Sequence, residues 1–241
     1  MSDKQLEIMT EIVGLNIGIG IKDVVPTEDN TSAHNILLNS GHSLNEFLPK
    51  GIKFIVDKED PAAFSPLKNI IYFNPDLLRN PNYLAMLAHE CGHSLVKNPK
   101  KTHLDYLQTG HEIVYDIRFK TLPLSDRLKK IFSLMKLDLD NEIEASHNGK
   151  IVADLLGADP IAYEDMISIS LKNHFWFNML STQKLFELSC PDIKDDTLVE
   201  YYNPFTQDVI QISYGEFRKI SMKSKDESAK TMVEIRNKVN I

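Results

Sequence analysis

The chain has 241 residues, 42% of them hydrophobic and 25% charged, with a net charge of −7. That mix suits an ordinary globular chain with one large core or two lobes sharing one. The acidic balance argues against a nucleic-acid surface, the two cysteines give no disulfide framework, and no run approaches the roughly eighteen apolar residues of a membrane span.

The opening stretch, MSDKQLEIMTEIVG, lacks a basic start and a long apolar core. No signal peptide is expected, and a cytoplasmic location is. Leu6, Ile8, Met9, Ile12 and Val13 suit a short amphipathic helix. Asn16 to Ile21 alternates apolar and small residues, a strand or turn; no GxGxxG follows Gly18 and Gly20 to make a phosphate loop. Thr31 to Leu48 reads as helix, with His34 and His42 as surface residues, ended by Pro49-Lys50-Gly51. Ile52 to Asp57 is a strand by alternation and β-branching, Asp60 to Pro66 a loop, and Asn69 to Asn74 a second strand ended by Pro75. An exposed edge on that second strand would let an extended peptide add as an antiparallel strand; a plain core hairpin fits equally.

The most informative stretch is LAMLAHECGHSLV, with His89-Glu90-Cys91-Gly92-His93 inside it. Histidines four apart share a helix face and can close on one metal ion. Glu90 stands where a carboxylate reaches a water held by that metal. The apolar stripe of Leu84, Leu87, Ala88 and Cys91 fits a buried helix, and Asn98-Pro99 is a natural stop. Two imidazoles, a third protein ligand and one open position make the hydrolytic zinc site, with the carboxylate as base toward the attacking water. HExxH specifies three residues in five, so its neighbourhood must carry weight. Cys91 between the ligands suits a reducing compartment.

Lys97 to Gly110 reads as a polar loop, followed by a helix from Glu112 to Leu122. Glu112 and Asp116 are four apart on that helix. One can ligate the metal, and the other can accept a hydrogen bond from a ligating histidine. Here the chain resembles the gluzincin metallopeptidases of the thermolysin-like clan, in which HExxH is followed about twenty residues later by a glutamate ligand. HEIVYD stands where their NExxSD would be, and the match spans Leu84 to about Phe119. The resemblance implies one Zn²⁺ per chain on His89, His93 and Glu112, with Glu90 as base and Asp116 as outer partner. His111 and Tyr115 depart from the family's Asn and Ser. Rival third ligands are His103, His111, His147 and Asp116. The metzincin pattern is excluded, because its third histidine would fall on Pro99. Val152-Ala153-Asp154 resembles the ExxAD segment of the CAAX-processing and heat-shock peptidases, but the ligand position there is Lys150, a cation.

Arg118 is a candidate ion-pair partner for a site carboxylate. Ser125 to Leu137 is an amphipathic helix capped by Ser125 or Asp126. The acidic run Asp138 to Glu144 lacks an EF-hand's glycine and spacing, so it reads as a solvated helix start. His147-Asn148-Gly149 reads as a turn or helix irregularity. His147, Tyr115 and Tyr163 are candidates for the donor that steadies an oxyanion. Helix follows over Ile151 to Leu156 and Ile161 to Leu171, then an aromatic group, Phe175, Trp176 and Phe177, most simply core. Cys190 to Asp196 is a loop, Val209 to Ile212 a strand, and Glu216 to Ile241 a charged helix whose Arg218 to Lys225 face is solvated.

The expected fold is therefore an α-rich α+β, zincin-like domain over residues 1–241. A sheet-containing lobe over 1–82, metal-binding helices over 83–122 and a helical lobe over 123–241 flank a cleft. The expected function is hydrolysis of peptide or protein substrates by a soluble zinc metallopeptidase. Two alternatives stand beside it: a latent or regulatory form whose cleft is filled by a terminal segment such as Ser221–Ile241, and a non-catalytic zinc-binding module.

Overall fold

The computed structural model describes residues 36, 42–58 and 62–239. The expected elements of residues 1–25, most of the helix over Thr31 to Leu48, and His34 lie outside the described residues. The architecture is helix-rich α+β. Strands β1 (Lys53–Val56), β2 (Ala63–Ser65) and β3 (Ile70–Phe73) precede helices α1 (Pro81–Leu95), α2 (Pro99–Phe119), α3 (Leu124–Leu156) and α4 (Pro160–Ser189); then come β4 (Leu198–Asn203), β5 (Asp208–Ser213) and α5 (Tyr214–Val239). Among the described residues no helix is long and apolar enough to cross a membrane.

Two compact units divide the chain. Of the described residues, one holds those from 36 to 103, Asn141–Ser170 and those from 232 to 239; the other holds Leu104–Asp140 and Leu171–Thr231.

The first unit carries β1 to β3 and α1. The strand order is β1-β3-β2, with β1 parallel and β2 antiparallel to β3, and Phe64 opposite Ile71. The strand expected to offer a free edge, β3, is thus the middle strand. The outer strands are β1 and β2, and β2 sits inside the expected loop of residues 60–66; three residues are too few for a period-2 signal. Helix α1 starts where Asn80 accepts hydrogen bonds from the amides of Asn82 and Tyr83, with Pro81 at its first position. It ends before Asn98, whose positive φ of 57° redirects the chain into Pro99. Its buried face packs Tyr83, Leu87, Ala88 and Cys91 against Phe54, Ile71, Phe73 and Val152. Val239 lies in the same core, and the Lys238 carbonyl accepts from the side chains of Asn80 and Asn82.

In the second unit, residues 104–110 are helical as part of α2, so the expected polar loop is absent. Pro99 opens that helix, and its lysines lie on an exposed face. An antiparallel hairpin pairs Tyr201 with Ile210, and the buried Phe175 meets the half-buried Trp176 and Tyr201 and the exposed Phe205, so the aromatic group is core at Phe175 only. Helix α3, whose residues from Asn141 onward belong to the first unit, runs unbroken through residues 138–149, so neither the acidic run nor His147-Asn148-Gly149 interrupts it.

Candidate metal centre

Helix α1 brings His89 and His93 onto one face, with ring centroids 4.8 Å apart. The carboxylate grouped with them is Glu142 of α3, in place of the expected Glu112. Donor atoms of His89, His93 and Glu142 all lie within 4.8 Å of one another. Glu142 Oε2 is 3.1 Å from His89 Nε2, and Oε1 is 3.5 Å from His93 Nε2. Around a tetrahedral ion with bonds of ~2.0–2.2 Å, neighbouring donor atoms stand about 3.3–3.6 Å apart. The two Glu142 distances lie close to that spacing, and the three donors converge within 4.8 Å. His89 and Glu142 are buried, a position in which an unpaired carboxylate is costly.

A second set of contacts orients the imidazoles. Ser146 Oγ donates to the Glu142 carbonyl at 2.7 Å, which leaves its lone pairs to accept from His89 Nδ1 at 3.3 Å. With the proton on Nδ1, Nε2 keeps the lone pair a metal needs. The Asn141 side-chain nitrogen lies 3.3 Å from His93 Nδ1; with that amide turned over, its oxygen would accept from Nδ1 and favour the same tautomer. Asn141, Glu142 and Ser146 come from consecutive turns of one helix, so a single element supplies the third donor and both outer partners.

The crossing of α1 and α3 is closed by Gly92 and Gly149. A Cβ on Gly92 would lie 2.1 Å from the Ala145 carbonyl, and one on Gly149 would lie 2.8 Å from that of Ala88. Only glycine permits this approach.

Glu90 leaves the same helix beside His89, and its Oε2 accepts the Phe64 amide at 2.8 Å. Cys91 is fully buried; burial drives its thiol pKa up and keeps it protonated.

The remaining expected site residues lie elsewhere. Glu112 is exposed on α2, where Lys130 and Gln108 both donate to it and hold its carboxyl below the ordinary range, Lys130 contributing most. Asp116 is buried on the same helix. Its Oδ1 accepts from the Leu122 amide at 2.6 Å and from Thr121 at 2.9 Å, and Arg127 Nε stands 2.9 Å from Oδ2. The Arg127 Nε–H itself points to the Leu122 carbonyl, so that contact is charge attraction rather than an aligned hydrogen bond. Asp116 is thus a helix-end anchor, and Arg118 lies over the Phe119 ring at 5.4 Å from its centroid. His111 is exposed, His103 is half-buried with its pKa lowered by burial, and neither belongs to the donor group. Of the candidate oxyanion donors, Tyr163 is buried and gives its hydroxyl to the Ser146 carbonyl, Tyr115 is exposed against Phe119, and His147 is exposed on α3.

No protein-family model matches the sequence, and neither curated proteins nor solved structures give a match.

Proposed function

We propose that the chain is a zinc-dependent metallopeptidase with His89, His93 and Glu142 as metal ligands and Glu90 as general base. The observation that carries this reading is the spacing of three convergent donors beside a glutamate that is not one of them. Two imidazoles and one carboxylate are the donor set of open zinc hydrolase sites, and the same set is what the gluzincin resemblance implies, here with a different glutamate. Bound Zn²⁺ would supply Lewis acidity toward a carbonyl and toward water. The chain's own part is the proton. Glu90 takes it from the attacking water and hands it to the leaving nitrogen, while Ser146 and Asn141 hold the imidazoles in the ligating tautomer. The zincin-like fold, with a substrate cleft across the α1 face, goes with this reading.

A non-catalytic metal staple is the second reading, favoured by one observation: the Glu90 carboxylate already has a backbone partner in Phe64. Metal analysis of wild type, Glu142→Ala and Glu112→Ala, beside a peptide-library assay, tests both. The peptidase reading expects one Zn²⁺ per chain in wild type and Glu112→Ala, none in Glu142→Ala, and hydrolysis that Glu90→Gln abolishes with zinc retained. Zinc without hydrolysis in wild type favours the staple. Zinc retained in Glu142→Ala overturns the site.

A further inference from the structure

Strand β2 lies at the edge of its sheet, and the amide of its middle residue is turned away from its neighbour β3. Ala63 and Ser65 flank it in the ladder opposite Tyr72 and Ile70. In an antiparallel pair the residue between two bonded positions sends its N–H outward, where it needs water, another strand or a side chain. Phe64 sends its N–H to Glu90 Oε2 at 2.8 Å. A hydrogen bond to an ionised carboxylate is stronger than one between neutral groups. The Phe64 ring is buried in the same core as α1, so the amide is fixed in position rather than carried on a mobile loop.

We propose that β2 is a clasp for Glu90: the Phe64 amide holds one carboxylate oxygen and thereby sets the side chain so that the other is available for proton transfer. This rests on the reading of Glu90 as the base. The clasp also explains how the edge is blunted. Its central donor is taken, and two residues on, Pro66 has no N–H at all. The centre of β2 is therefore closed to an added strand, and an extended peptide must find its main-chain partners elsewhere. Phe64 is a positioning residue, acting through Glu90 and through its backbone alone.

The first test reads the clasp without activity. Amide hydrogen exchange is followed in protein labelled with ¹⁵N-phenylalanine, wild type against Glu90→Ala. Phe64 should exchange at least about 10-fold faster in the variant, with Phe54 and Phe73 unchanged; equal rates at Phe64 overturn the clasp. The second test replaces the Phe64 amide by an ester, using phenyllactate so that the ring is kept and only the donor is lost. On a hydrolysed peptide kcat should fall about 10-fold with KM and zinc affinity unchanged. A rise in KM at constant kcat would instead make the edge a substrate strand and overturn the proposal. If wild type hydrolyses no peptide, the peptidase reading fails by itself, and the exchange comparison still decides whether the amide holds Glu90.

Discussion

Gly92 of α1 and Gly149 of α3 face each other where the two helices cross, so close that a Cβ on Gly92 would stand 2.6 Å from the Gly149 nitrogen. The clash would be with backbone, which cannot swing aside as a side chain can. Separating the helices would draw Glu142 away from both histidines, so the contact sets the site as well as the packing. Gly92→Ala is expected to cost about 3 kcal/mol or more and to weaken zinc binding by an order of magnitude or more in whatever fraction folds. Denaturant melts and zinc titration check it; wild-type values for both would show that the crossing tolerates a methyl group.

Ser146 offers a milder probe of the same geometry. Its hydroxyl accepts from His89 Nδ1 and is half-buried, so Ser146→Ala removes a tautomer-fixing contact and little volume. Losing such a partner typically weakens metal binding ~10–100-fold. Competition titration against a chelator should read that loss with the melting temperature of the metal-free protein nearly unchanged. Unaltered affinity would remove Ser146 from the site.

Asp116 separates anchoring from metal binding. It is buried, accepts two hydrogen bonds and faces Arg127. Removing one partner of a buried pair costs about 3–5 kcal/mol because the other charge is stranded. Asp116→Ala should therefore melt much earlier than wild type, yet bind one zinc per folded chain. Glu112→Ala should change stability by under ~1 kcal/mol, as its partner Lys130 is at the surface. A folded Asp116→Ala protein that takes up no zinc would return Asp116 to the metal's surroundings.

The local half of the site was readable in the sequence, and the distant half was not. His89, Glu90 and His93 are neighbours on one helix, and helix period alone places them. The third donor depends on which remote element crosses α1. Glu142 sits in the acidic run Asp138 to Glu144, where composition signals solvent, while Glu112 lay at a familiar distance. The marks of the carboxylate that the fold groups with the histidines are small ones. Ser146 stands four residues after Glu142, the same step that separates Lys150 from Asp154, with a hydroxyl in place of the aspartate. Gly149 looked like a turn because glycine and asparagine favour turns; inside α3 it is a crossing point, where packing outweighs propensity. Strands β1, β3 and β5 announced themselves through β-branched runs, whereas β4, with Val199 as its one β-branched residue, did not. Strand β2 did not, and with it the partner of Glu90 went unseen.

Tyr83 supplies a pH-dependent test of how α1 is held on the sheet. Its side chain is fully buried, and its hydroxyl oxygen accepts the Asn74 amide at the end of β3. Burial, ahead of all else, pushes its pKa up to about 12. In the unfolded chain a tyrosine ionises near ~10, so above that pH the unfolded state gives up a proton that the folded state keeps. The stabilisation is thus complete below about pH 10 and is lost as pH rises from ~10 through ~12, with a slope of up to about 1.4 kcal/mol per pH unit from this group. Tyr83→Phe should flatten that part of the curve while costing about 1–3 kcal/mol at neutral pH, because the Asn74 amide is left without its acceptor. Denaturant midpoints of both proteins from pH 8 to pH 12 make the comparison, and titrations common to the two cancel in the difference. Parallel curves throughout would mean that Tyr83 is not the group that carries the alkaline loss.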